Sequence, residues 1–102
     1  MLPLIDQHRP ELEALCRRNA VARLELFGSA TGEQFDPTAS DLDFLVEFMP
    51  LPPSERADAY FGLLHGLEDL LRRKIDLVTV QAIENRFFRR AVESQRTVLY
   101  AA

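Results

Sequence analysis

Three aspartates interrupt segments that otherwise read as buried β-strands. Asp41-Leu42-Asp43-Phe44-Leu45-Val46-Glu47-Phe48 alternates, with Leu42, Phe44, Val46 and Phe48 on one side and Asp41, Asp43, Leu45 and Glu47 on the other. Ile75-Asp76-Leu77-Val78-Thr79-Val80 is a second apolar run with an acid inside it. Aspartate is depleted in strands, and a buried carboxylate without a partner is costly. A chain that keeps aspartates in such places must give them something to hold.

Residues two apart on a strand project from one face, about 6.5 to 7 Å apart along the chain. Asp41 and Asp43 therefore converge on one spot, where two anions either share a proton or take a cation between them. A small set of hard oxygen ligands leaves coordination positions that Mg²⁺ fills with water and phosphate oxygens. If the strand of Asp76 neighbours theirs, Asp76 completes an acidic cup. The purely structural alternative has Asp41 ending a loop, Asp43 capping a neighbouring backbone group and Asp76 pairing with Arg72 or Arg73.

Around these segments the chain reads as an α/β sheet domain. Pro10 suits a first helical turn, with Leu12, Leu15 and Cys16 at helical spacing until Arg17-Arg18-Asn19, and the residues before Pro10 fit an extra turn. From Val21 the period becomes two, with Ala22, Leu24 and Leu26 on one side and Arg23, Glu25 and Phe27 on the other; Gly28 ends this strand. After Pro50, Pro52 and Pro53, Ser54 can cap a helix in which Tyr60, Leu63, Leu64, Leu67, Leu70 and Leu71 recur at steps of three and four. A further helix is expected around Ile83, Phe87, Ala91 and Val92, and a short terminal strand at Thr97-Val98-Leu99-Tyr100.

The segment from Gly28 to Ser40 has no apolar period and reads as a loop. Gly28-Ser29, directly after a strand, offers unobstructed backbone N–H groups and one hydroxyl, a cradle suited to terminal phosphates. Two familiar phosphate motifs do not fit. No crossover helix follows Phe27-Gly28-Ser29-Ala30-Thr31-Gly32 before the next strand, and the glycine-lysine pair of a P-loop is missing. Ser29 also lacks the setting of a serine nucleophile, because neither His8 nor His65 lies in the context of a base.

With 102 residues, 47% of them hydrophobic and 27% charged, the expectation is one domain over residues 1–102 with one core. The apolar runs are broken long before the roughly 18 residues that span a bilayer, and Met1-Leu2-Pro3 lacks a signal pattern, so a cytoplasmic protein is expected. One cysteine, Cys16, and two histidines give no zinc-ligand spacing, and Cys16 reads as core. The net charge of -4 argues against duplex nucleic acid as the main partner. Arg72-Arg73-Lys74 and Arg86, Arg89 and Arg90 still cluster late in the chain, as solvated helix faces or as a nucleotide or partner surface.

Three blocks, Leu26-Phe27-Gly28-Ser29, Ser40-Asp41-Leu42-Asp43-Phe44-Leu45-Val46 and Lys74-Ile75-Asp76-Leu77-Val78-Thr79, closed by Val98-Leu99-Tyr100-Ala101-Ala102, together resemble a known family. It is the minimal nucleotidyltransferase family of the polymerase-β superfamily, the MNT antitoxins encoded beside HEPN-domain toxins. One departure is that eleven residues, rather than the commoner ten, separate Ser29 from Asp41.

The resemblance implies a small mixed sheet of about four strands flanked by helices, with nucleoside triphosphate held by Gly28 and Ser29. It implies divalent metal, two Mg²⁺ ions, on Asp41, Asp43 and Asp76, with Asp76 also helping to deprotonate the attacking hydroxyl. It further implies transfer of AMP from ATP to a tyrosine of a HEPN ribonuclease toxin, which the protein neutralises as antitoxin, and it allows a homodimer. Two rival readings remain. One is a non-catalytic module that neutralises the toxin by contact, through Phe87, Phe88 or Tyr100 and the Arg86, Arg89, Arg90 face. The other is a small-molecule nucleotidyltransferase acting on an aminoglycoside-like acceptor.

Overall fold

A computed structural model describes residues 3–27, 42–80 and 96–102. In chain order the elements are α1 (Pro3–Gln7), α2 (Arg9–Arg18), β1 (Val21–Phe27), β2 (Leu42–Phe48), α3 (Pro53–Leu71), β3 (Ile75–Thr79) and β4 (Arg96–Ala101). The loop expected over 28–40 and the helix expected around Ile83–Val92 lie outside the described residues.

α2 starts with proline in its first turn, where the missing N–H costs no hydrogen bond, and buries Leu12, Leu15 and Cys16 on one stripe. Arg17 and Arg18 close it at the end that favours positive charge. The Asn19 backbone N–H and side-chain Nδ2 both donate to the Leu15 carbonyl, at 3.2 and 2.9 Å. α3 buries Ala59, Leu63, Leu67 and Leu71 at four-residue intervals, while Tyr60, Leu64 and Leu70 pack partly buried against the same core. Its N-cap is Pro52 and not Ser54, which lies inside the first turn, exposed and with no cap to make. Proline at the start already supplies the helical φ without a donor to satisfy. The helix stops at Arg72, whose N–H still donates to the Glu68 carbonyl at 2.9 Å while its left-handed φ of 57° turns the following chain out of the helix.

The four strands form one mixed sheet in the order β3-β2-β1-β4. β1 runs antiparallel to both β2 and β4, and β2 runs parallel to β3, with α3 as the crossover. One sheet face is apolar: Leu24 and Leu26 from β1, Leu42, Phe44 and Val46 from β2, Ile75 and Leu77 from β3, and Leu99 from β4 join the α2 and α3 stripes in a single core. A bulge between Val21 and Arg23 shifts the period of β1, so Val21 enters the core in place of the expected Ala22. The opposite face carries Arg23, Glu25, Asp43, Leu45, Glu47, Asp76 and Val78. Among the described residues, no helix is long and apolar enough to cross a membrane.

Candidate active site

The register of the central strands decides where the aspartates go. Asp43 of β2 is the direct partner of Asp76 in β3, and on its other side it is the partner of Phe27 in β1. Neighbouring strands lie about 4.8 Å apart, and register partners in a parallel pair share a face, so two carboxylates from distant segments stand side by side. Asp43 is half-buried and Asp76 exposed. Ion pairs among the described residues include Arg9 with Asp6 and Arg23 with Glu25, and neither Arg72 nor Arg73 is seen paired with Asp76. Among the described residues, then, no arginine accounts for Asp76.

The other expected site residues, Gly28, Ser29 and Asp41, lie outside the described residues. Their places in the chain are nonetheless informative. Gly28 follows Phe27, and Asp41 precedes Leu42, so both are covalently next to the strand ends that carry the Asp43–Asp76 row. With Asp41 outside, no group of three or more metal-ligating side chains occurs among the described residues. Arg86, Phe87, Phe88, Arg89 and Arg90 also lie outside them. Tyr100, also considered as a contact residue, packs partly buried against the core.

The charge of Asp76 reaches the edge of the sheet. Tyr60 of α3 donates its hydroxyl to the Leu77 carbonyl at 2.6 Å. Burial, and then the negative charge of Asp76, push the Tyr60 hydroxyl above its ordinary pKa of 10. β3 is an edge strand, and this bond occupies one of its carbonyls.

Glu25 was not expected as a feature of the site. It is 4% exposed, lies on the same sheet face as Asp43 and accepts from Arg23 Nη2 at 3.2 Å. Alternation does place Glu25 on that face, but no sequence signal distinguishes a buried glutamate there from a solvated one. Cys16 is buried as expected, and burial pushes its thiol up to about 12. His8 occupies the N-cap position of α2, and His65 is exposed on α3 beside the Phe61 ring. A groove of about 760 Å³, lined by Phe48, Met49, Leu51, Tyr60, Phe61 and Thr79 among others, lies at the opposite end of β2 and contains none of the expected site residues.

Residues 11–99 match the nucleotidyltransferase domain family. The chain belongs to that family. As a nucleotidyltransferase it is 36% identical over 89 residues to a relative from Methanocaldococcus jannaschii provisionally named protein adenylyltransferase MJ0128, covering 86% of each chain. A second relative from the same organism, provisionally named protein adenylyltransferase MJ1379, is 36% identical over 74 residues, 72% of this chain and 71% of its own. The nucleotidyltransferase also shares its fold with solved structures. A minimal nucleotidyltransferase superposes with a TM-score of 0.72 at 28% identity, over 94% of this chain and 95% of that one. A chain from a toxin–antitoxin crystal structure with AMP-PNP superposes with a TM-score of 0.64 at 24% identity, over 92% of this chain and 73% of that one.

Proposed function

We propose that this nucleotidyltransferase moves AMP from ATP to a tyrosine hydroxyl of a HEPN-type ribonuclease toxin, in a Mg²⁺-dependent reaction, and so acts as that toxin's antitoxin. The pairing of Asp43 with Asp76 carries the reading, because it sets two carboxylates beside the strand end that leads into Gly28-Ser29. The names of the curated relatives support a protein acceptor. The shared fold with a toxin–antitoxin chain crystallised with AMP-PNP supports ATP as donor and a toxin as target.

The donor set fits a hard divalent cation, since Asp43 and Asp76 present only carboxylate oxygens. In this reading Asp41, Asp43 and Asp76 hold Mg²⁺, as two ions, and Gly28 and Ser29 hold the triphosphate. Bound there, Mg²⁺ would neutralise charge on the phosphates as the leaving group departs. Asp76, exposed on an edge strand, can accept the proton of an acceptor hydroxyl approaching from the rim of the sheet. The hydroxyl oxygen then bonds to the α-phosphorus, the bond from that phosphorus to the bridging oxygen breaks, and pyrophosphate leaves. The product is a phosphodiester between AMP and the acceptor.

The test is incubation of the purified chain with labelled ATP, Mg²⁺ and the product of the neighbouring gene. Label is expected on that protein, and its absence with both proteins folded would refute the reading. Asp43→Asn separates transfer from contact: if the variant still protects cells while the toxin stays unmodified, neutralisation is by binding. Label transferred to an aminoglycoside and to no protein would identify a small-molecule enzyme instead.

A further inference from the structure

We propose that Lys74 is a phosphate-binding residue of this site, its ammonium group contacting the phosphate chain of the nucleotide held at Asp43 and Asp76. The inference rests on the nucleotidyl-transfer reading above. The Leu42 N–H donates to the Lys74 carbonyl at 3.3 Å, which carries the β2–β3 pairing one step beyond the Leu42 and Ile75 partners. Lys74 is thereby tied to the end of the sheet that carries the acidic row. It stands two residues before Asp76, so strand alternation assigns it to the same face, about 6.5 to 7 Å along the chain.

Its surroundings leave the charge available. Lys74 is exposed, and among the described residues it makes no ion pair, although Asp76 is so near in the chain. The preceding turn is held by the left-handed Arg72, whose N–H is bonded to Glu68. Arg73 is half-buried and engaged in interactions of its own. A phosphate held through a divalent cation at Asp43 and Asp76 would come within the span of a four-carbon lysine stem that starts two residues before Asp76. That cluster of anions gains from a cation on the same face, and lysine serves phosphate as a point charge.

Titration calorimetry of the full chain with AMP-PNP and Mg²⁺ tests this. Lys74→Met is expected to weaken binding about tenfold, the loss of one charge-assisted contact, with melting curves showing the fold intact. Lys74→Arg keeps the charge and is expected to bind near the wild-type level. Arg17→Met removes an exposed cation on α2 and is expected to change nothing. The proposal is overturned if Lys74→Met binds as tightly as wild type. It is equally overturned if Lys74→Arg is as weak as Lys74→Met, or if Arg17→Met weakens binding as much. A wild-type chain that does not bind AMP-PNP would instead overturn the nucleotidyl-transfer reading, and this inference with it.

Discussion

Replacing Asp43 by asparagine keeps the volume of the side chain and removes its charge from the row it shares with Asp76. Partners that merely orient a metal ligand are worth about 10- to 100-fold, so if Asp43 holds the metal as proposed, its loss should lower the transfer rate by about a hundredfold or more. The rate of label incorporation checks this. Tyr60→Phe removes the 2.6 Å bond to Leu77 and should cost about 1 kcal/mol, read from a denaturation midpoint. The raised pKa of Tyr60 fixes the sign of a pH effect. The folded state holds the phenolic proton more tightly than the unfolded chain, so this stability is fully present below about pH 10 and is lost as pH rises through the folded value. The advantage of wild type over Tyr60→Phe should therefore shrink above pH 10. Cys16, with its thiol pushed up to about 12, should resist a thiol reagent at pH 8 and react fully in denaturant.

At the scale of elements, α2 and α3 pack closely at Gly66. A Cβ there would collide with Cδ1 of Leu15 and lie 2.9 Å from its Cδ2, inside the core. Alanine would gain about 1 kcal/mol of helix propensity but overpack the helix pair at a cost of about 1 to 3 kcal/mol, so Gly66→Ala should be net destabilising in chemical denaturation. Gly62→Ala meets only the end of the Asn19 amide and should cost less. The elements themselves were legible in the sequence where a single period ran through them. Leu42, Phe44 and Val46 revealed β2, and Leu63, Leu67 and Leu71 revealed α3, because one buried face was enough to form the pattern. Pairing was not legible. Nothing in Ile75–Thr79 says that it lies parallel to β2 with Asp76 opposite Asp43, since that register follows from the path of α3 and not from local propensity. The bulge that places Val21 in the core, and the burial of Glu25, likewise depend on neighbours contributed by other strands.

For the whole molecule, a nucleotide that binds only the folded state should raise the melting temperature. At a hundred times Kd the gain is about 2.7 kcal/mol, and each kcal/mol is worth roughly 4 to 8 °C in a domain of this size, so Mg²⁺ with AMP-PNP should shift the melt by roughly 10 °C or more. Asp43→Asn should abolish most of that shift, and differential scanning fluorimetry would show it. The parallel union of β2 with β3 also has a temporal meaning. A growing polypeptide carries Asp43 out of the ribosome well before its neighbour, and the acidic row cannot exist until α3 has wrapped back and Asp76 has arrived. On the proposed reading, transfer would be withheld from every unfinished copy.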